Sequence, residues 1–318
     1  MTNPDPRPTC KLSLTDARRP SFFLVGAPRC GTTALFRWLG QHPGLFLSSQ
    51  KECHYFAHDI PGFRAIHKET DYLNLFRDAK ADQFVGEASV MYLCSACAID
   101  EILKFSPQAR LLVTLRNPIE IVQSWHEQLL VTGQEDVTDL WAAWRLRHQR
   151  REGKSLPRHC MDPMIPQYEH IARLGEQVES LLSKVDRSRV MFLQYDELRA
   201  DPGGAYRRVL EWLGVPDDGF DRFEVVNRNR QPVSPFAQRV WSRNPTIRKL
   251  RGLTRRALGE ARYAAVRDAV IPRLSHTKPR TGLDPALRSE MEACFKHDVE
   301  QLSDLLSSDF RPWLKQAA

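Results

Sequence analysis

The sequence predicts an α/β protein with a P-loop-like three-layer fold: a central, mostly parallel sheet flanked by helices, followed by a helical C-terminal region. Three observations predict it. Short apolar runs alternate with stretches of helical periodicity, the pattern of a parallel sheet covered on both faces. The first run passes through a Gly/Pro/Thr turn directly into a helix, in "SFFLVGAPRCGTTALFRWLG" at residues 21–40. Residues 236–318 read as mainly helical, without an internal repeat or low-complexity tract.

Residues 1–20 carry prolines and mixed charge where a secretory signal needs a long apolar core, and read as a mobile N-terminal arm before a single domain over 21–318. Phe22 to Val25 form a short buried strand. Thr32 opens a helix whose Ala34, Leu35, Trp38 and Leu39 share one face until Gly40 and Pro43 end it. The loop between them aims its amides, and the positive end of a helix dipole, at an anion. "FVGEASVMYL" at residues 84–93 reads as a further short strand or loop edge. Leu111 to Leu115 form the next strand, Asn117 caps a helix, Pro118 takes its first position, and Val122, Trp125 and Leu129 make its inner face. Arg116 therefore closes that strand at its carboxyl end and Ser124 lies two turns into the helix. In an open α/β sheet that edge is where ligands bind. Strand Val190 to Gln194 precedes a loop and a helix that ends near Gly214.

Over 318 residues the hydrophobic share is 42% and the charged share 27%, ordinary for a globular protein with a full core. No apolar run approaches the roughly 18 residues of a membrane span, so a soluble protein is expected. Seven cysteines, an odd number spread over a long chain, predict free thiols in a reducing compartment and hence the cytoplasm. Cys94 and Cys97 form a lone CxxC, and Leu93, Ala96 and Ile99 beside them predict helix packing over a metal or redox role. The net charge of +7 is uneven: residues 239–256 hold seven Lys and Arg and no acid. Such a segment suits an anionic ligand, an acidic membrane surface or nucleic acid. Trp241, Ile247, Leu250 and Leu253 at helical spacing equally describe an amphipathic helix with a solvated basic face. No aromatic stacking motifs are interleaved with the cations, so nucleic acid is not an expected partner, while peripheral contact with an anionic membrane surface stays open. The sequence is silent on oligomeric state.

Gly26 and Gly31 have the spacing of Walker A glycines, yet Thr32 and Thr33 stand where Lys-Ser/Thr belongs, and Arg29 is the cation inside the loop. A P-loop nucleotide phosphotransferase would also want an acid closing a hydrophobic strand to hold magnesium. The strand over 111–115 closes on Arg116, and a cation there favours direct contact with phosphate. A cysteine phosphatase is set aside because Arg37 follows Cys30 one residue out of register. Cys30 is then a small residue in a tight loop, its pKa lowered by the helix N-terminus. A pre-activated donor fits better: it needs a loop for its diphosphate-like part, a second cation for another phosphate, and a base for an acceptor hydroxyl. "SSQKECHYF" at residues 48–56 supplies the base. Glu52 accepts the proton, Lys51 offsets charge on the transferred group, and His54 points the same way if the segment is extended. A non-catalytic anion-binding protein using the basic 239–256 region is the alternative from another class.

These residues resemble the sulfotransferases that use 3′-phosphoadenosine 5′-phosphosulfate (PAPS), in particular the heparan-sulfate-type, carbohydrate and related bacterial members. "FFLVGAPRCGTTALFRWLGQHP" is similar to their 5′-phosphosulfate loop and "LLVTLRNPIEIVQSWHEQL" to their 3′-phosphate motif. "KECHYF" is similar to a Lys-Glu-Pro-His-aromatic-Phe segment, and "VGEASVMYL" and "QYDELRADPGGAYRRVLEWLGVP" to further bacterial segments, so the likeness covers roughly residues 20–230. The resemblance implies that Arg29, Cys30, Gly31, Thr32 and Thr33 bind the 5′-phosphosulfate, with Arg29 near the bridging oxygen. It implies Arg116 and Ser124 at the 3′-phosphate, with Arg228 or Arg230 of "NRNRQPVSP" adding a contact. Glu52 is then the base, placed with help from His54, for in-line sulfuryl transfer to a hydroxyl of a sugar, glycolipid or natural product, leaving PAP. No metal is expected. Two positions depart from the pattern: Arg29 brings a planar fork where Lys is usual, and Cys53 replaces a proline, freeing the backbone before His54.

Overall fold

The computed structural model describes residues 19–224, 230–232, 275–277 and 282–315. The chain runs through β1 (Phe22–Gly26), α1 (Thr32–Leu39), β2 (Leu45–Leu47), α2 (Glu69–Leu73), β3 (Phe84–Ala88), α3 (Ala98–Phe105), β4 (Arg110–Leu115) and α4 (Pro118–Thr132). It continues through α5 (Leu140–Arg145), α6 (Arg147–Arg151), α7 (Tyr168–Ala172), α8 (Leu174–Leu182), β5 (Val190–Gln194), α9 (Tyr195–Ala200) and α10 (Pro202–Leu213). Beyond these lie β6 (Arg230–Pro232), β7 (Ser275–Thr277) and α11 (Pro285–Leu306).

The first five strands form one parallel sheet in the order β2-β3-β1-β4-β5. Alternation along β1 sets the layers. Phe22 and Leu24 face a core shared with Leu35 and Trp38 of α1 and Tyr206, Val209 and Leu213 of α10. Phe23 and Val25 face the other core, with Ile102 of α3, Val122 and Trp125 of α4, and Val178 of α8. Gly86 on β3 has no room for a side chain, because a Cβ there would lie 2.2 Å from the Phe22 ring. β1 has β3 on one side and β4 on the other, so the chain order reverses about it. At such a switch point the helices diverge and leave a crevice at the carboxyl ends of the strands.

α4 begins as its sequence requires: the Asn117 side chain accepts from Ile119 N at 2.9 Å and Pro118 holds the first position. Gly133, at φ 74°, ends it in the left-handed conformation that glycine favours. A buried ion pair then fastens the segment after α4 to α6 and α7. Arg150 donates to both Glu135 oxygens at 2.7 and 2.9 Å, and Tyr168 adds a third bond at 2.5 Å. α11 packs Leu287, Met291, Phe295, Val299 and Leu302 inward, and its Asp298 carboxylate accepts from Gly175 N and Glu176 N, each at 3.0 Å, at the start of α8.

Three expectations need adjustment. The arm expected over residues 1–20 is held at its end: Arg19 donates to Phe105 O at 3.1 Å, and Pro20 O accepts from Ser106 Oγ at 2.9 Å. Ala34 is only half-buried on α1, where Thr32 takes the inward place beside Leu35, Trp38 and Leu39. β5 runs straight into α9 without the expected loop, and a second helix, α10, carries the chain to Gly214. The helical C-terminal region is present in α11, and the short strand β7 before it pairs antiparallel with β6. Residues 1–18 and the basic segment 239–256 lie outside the described residues. Among the described residues no helix is long and apolar enough to cross a membrane.

Candidate active site

The loop leaves β1 at Gly26, where a Cβ would lie 2.8 Å from Leu93 Cβ and 2.9 Å from Val90 O, so the backbone is pressed against the turn that follows β3. Thr114 of β4 fixes the other side, its hydroxyl donating to Gly26 O at 3.0 Å and its carbonyl accepting from Ala27 N at 2.9 Å. Gly31 is the N-cap of α1, at φ 83° and with no side-chain cap. Gly31 O accepts from the Ala34 amide at 3.0 Å, and the amides of Thr32 and Thr33, with no side-chain cap, face outward at the positive end of the helix. Thr32 is buried at that end and Thr33 half-buried beside it. Cys30 is fully buried and bonds Pro28 O at 3.3 Å. Burial pushes its thiol up to about 12, outweighing the opposing pull of Arg116 and Arg29. The lowered pKa expected from the helix N-terminus is thus reversed by desolvation, and Cys30 is a packing residue of the loop.

Arg116 sits at the end of β4, almost wholly buried. Its Nη1 donates to Arg29 O at 2.9 Å, its Nε and Nη2 donate to Glu120 Oε2 at 2.9 and 2.6 Å, and its guanidinium lies 4.2 Å from the centre of the Tyr195 ring. Arg29, a left-handed residue at φ 66°, sends its Nε to Ser124 Oγ at 2.7 Å and its Nη1 to Gln128 Oε1 at 3.2 Å. The structure thus brings Arg29, Arg116 and Ser124 together, with the Arg29 side chain lying against α4. Sequence reasoning missed Glu120, Gln128 and Tyr195. Helical spacing could have found two of them, since Glu120 stands four residues after Arg116 and Gln128 four after Ser124. Arg230 opens β6, and Arg228 lies outside the described residues.

Across the loop lies the "KECH" segment. It is not extended: Glu52 and His54 have φ 61° and 49°, left-handed conformations that non-glycine residues seldom adopt. Two bonds hold them there, Glu52 N to Ala88 O at 2.8 Å and His54 N to Ser89 Oγ at 2.9 Å. Such strain is concentrated at functional sites. Despite the different backbone the side chains meet. Glu52 Oε2 accepts from His54 Nε2 at 3.0 Å and from Val90 N at 3.1 Å, and Glu52 Oε1 pairs with the Lys51 ammonium. Lys51 Nζ also lies 3.5 Å from Thr32 Oγ1, joining this segment to the phosphate loop. Burial acts to raise the Glu52 pKa, but Lys51 and then His54 outweigh it and hold the carboxyl well below the usual carboxylate range. The side chain remains 34% exposed.

Glu87, on β3 behind this segment, is 1% exposed. It accepts from Ser89 Oγ at 2.5 Å and from Cys53 Sγ at 3.3 Å, so Ser89 ties the Glu87 carboxyl to the His54 backbone. Burial pushes its pKa up. The one signal for it in the sequence is an acid inside an otherwise apolar run.

Fold and site together define a phosphate-loop α/β protein that presents cations at the β1–β4 edge and a carboxylate facing the loop. Residues 19–234 match the family model described as a sulfotransferase domain, and the chain belongs to that family. It is 30% identical over 147 residues to carbohydrate sulfotransferase 15 of Rattus norvegicus, covering 33% of this chain and 26% of the relative. It is 27% identical over 213 residues to bifunctional heparan sulfate N-deacetylase/N-sulfotransferase 1 of Homo sapiens, covering 62% of this chain and 22% of the relative. These alignments span about a quarter of the length of the curated relatives. Among solved structures, a sulfotransferase from Alicyclobacillus acidocaldarius superposes with a TM-score of 0.67 at 24% identity, covering 94% of this chain and all of that one, and shares the fold.

Proposed function

We propose that the chain transfers a sulfuryl group from PAPS to a hydroxyl of a sugar or related acceptor, releasing PAP, with Glu52 as general base. One observation carries this reading: the Glu52 carboxylate is linked through Lys51 to Thr32 at the mouth of the phosphate loop. Base and anion site thereby share one crevice. Membership of the sulfotransferase domain family supports the reaction type, and the names of the relatives support a sugar acceptor.

The residues present suit such a donor. Gly31 carries no capping side chain, which leaves the amides of Thr32 and Thr33 for the 5′-phosphate. Arg116 and Ser124 supply a cation and a hydroxyl for the 3′-phosphate, the group that separates this donor from ATP, and Arg29, bonded to Ser124 at 2.7 Å, is the cation for the bridging oxygen of the 5′-phosphosulfate. Glu52 takes the proton of the acceptor hydroxyl, His54 and Val90 N hold the carboxylate in place, and the loop amides stabilise charge on the leaving phosphate oxygen. The six cysteines among the described residues are all free, which supports work in the reducing cytoplasm.

The test is incubation of the purified protein with PAPS carrying a radiolabelled sulfuryl group and desulfated heparan oligosaccharides. Label appearing in the sugar, and lost in Glu52→Gln, supports the reading. Phosphoryl transfer from ATP to the same sugars, without sulfuryl transfer, overturns it.

A further inference from the structure

Lys51 bridges the two halves of the site. Its ammonium contacts both the Glu52 carboxylate and Thr32 Oγ1, the latter at 3.5 Å, and its side chain is 15% exposed. A general base works best with a pKa near the operating pH, and in the free protein Glu52 is held far from that condition by Lys51 and His54 against the effect of burial. Paired in this way, Glu52 is a stable anion and a poor proton acceptor. The groups facing it are Lys51 and His54 from its own segment, Val90 N from the turn after β3, and Thr32 from α1 beyond Lys51. Behind the segment stand Cys53 and Glu87, whose pKa values burial pushes up.

We propose that Lys51 is a catalytic cation shared between base and donor: it rests on Glu52 in the free protein and passes to the sulfuryl oxygens of the bound donor, leaving Glu52 free to take the acceptor proton. This inference rests on the PAPS reading above. The four-carbon stem and three donors of lysine suit such an exchange better than a fixed fork would, and Thr32 already marks the loop end of its reach. Donor binding then arms the base, because Glu52 loses its nearest positive charge only when a sulfuryl group is present to receive it. In the transfer the acceptor O–H bond breaks and the proton goes to Glu52. The acceptor oxygen forms a bond to sulfur, and the bond from sulfur to the bridging oxygen breaks, its electron pair staying on the 5′-phosphate of PAP. Lys51 keeps its proton throughout and offsets charge on the sulfuryl oxygens.

Lys51→Met and Lys51→Arg test the proposal in the full chain. PAP lacks the sulfuryl group, so its affinity for Lys51→Met, read by calorimetry, should stay within about threefold of wild type, or under 1 kcal/mol. Turnover should fall by about 10² or more, the loss typical of one missing transition-state contact, and Lys51→Arg should recover part of it. In the free proteins, carbon-13 NMR of labelled glutamate should show Glu52 titrating at higher pH in Lys51→Met than in wild type. The acid limb of kcat, which reports the loaded complex, should lie at higher pH than that of kcat/KM in wild type, and the two should coincide in Lys51→Met. Turnover within about threefold of wild type in Lys51→Met overturns the proposal. So does a loss of PAP affinity as large as the loss of turnover, which would make Lys51 a support of the loop. A wild-type protein that fails to bind PAP instead overturns the donor reading, a separate result.

Discussion

Glu52→Gln keeps the volume of the side chain and an oxygen for Val90 N, but removes the charge that pairs with Lys51 and accepts from His54. Losing a positioned general base costs about 10²–10⁴ in rate. At 1.36 kcal/mol per decade this is roughly 3–5 kcal/mol on the barrier. The change should spare donor affinity, because Glu52 reaches the loop through Lys51 and touches neither Arg116 nor Ser124 in any hydrogen bond described above. Initial rates with labelled PAPS, beside calorimetry with PAP, separate the two effects. The fold supplies a further check. The Glu52 pKa is depressed in the folded protein, so its ion pairing stabilises the fold above the unfolded carboxyl pKa, and that contribution is lost as pH falls through the folded value. The Tm difference between wild type and Glu52→Gln should therefore shrink towards acid pH, and should be small throughout because a third of the side chain is in solvent. Near-normal turnover in Glu52→Gln would refute the reasoning and move the proton to His54 or to water.

Gly31→Ala places an L-residue at φ 83° with its Cβ 2.6 Å from Leu198 Cδ2. The left-handed conformation alone costs about 1–2 kcal/mol, so PAP affinity should fall about tenfold or more in calorimetry while circular dichroism shows the fold retained; unchanged affinity would contradict the role of the loop. Arg150→Met leaves the Glu135 carboxylate buried without its cation, both side chains being fully excluded from solvent in wild type. Breaking such a pair costs about 3–5 kcal/mol, readable as a large fall in Tm. Burial would raise the Glu135 pKa, but Arg150 and Tyr168 hold it below the ordinary value. The stability from this pair is accordingly present above the unfolded carboxyl pKa and lost as pH falls through the folded one, so wild type and Arg150→Met should converge in acid.

The parts of the fold visible in the sequence are those fixed by local chemistry. The start of α1 at Thr32, the Asn117-Pro118 start of α4 and the apolar runs of β1, β4 and β5 each act within a few residues of themselves. β2 is three residues long, too short to show a period. The left-handed turns at Glu52 and His54 were not visible either, because their restraints come from Ala88 and Ser89, more than thirty residues away. For the same reason the sequence could name Arg29, Arg116 and Ser124 but not their mesh: Arg29 finds Ser124 and Gln128, and Arg116 finds Tyr195, only once β1, β4 and β5 lie side by side.

That the crevice is shaped for a 3′-phosphorylated donor is tested most directly by calorimetric titration of PAP, ADP and ATP into wild type and Arg116→Ala. A hydrogen bond to a charged group contributes about 1.5–3 kcal/mol, so losing Arg116 should weaken PAP by about 10–100-fold. Wild type should prefer PAP to both other nucleotides, and Arg116→Ala should lose that preference. Equal or tighter binding of ATP by wild type would contradict it and return the loop to a nucleotide phosphotransferase.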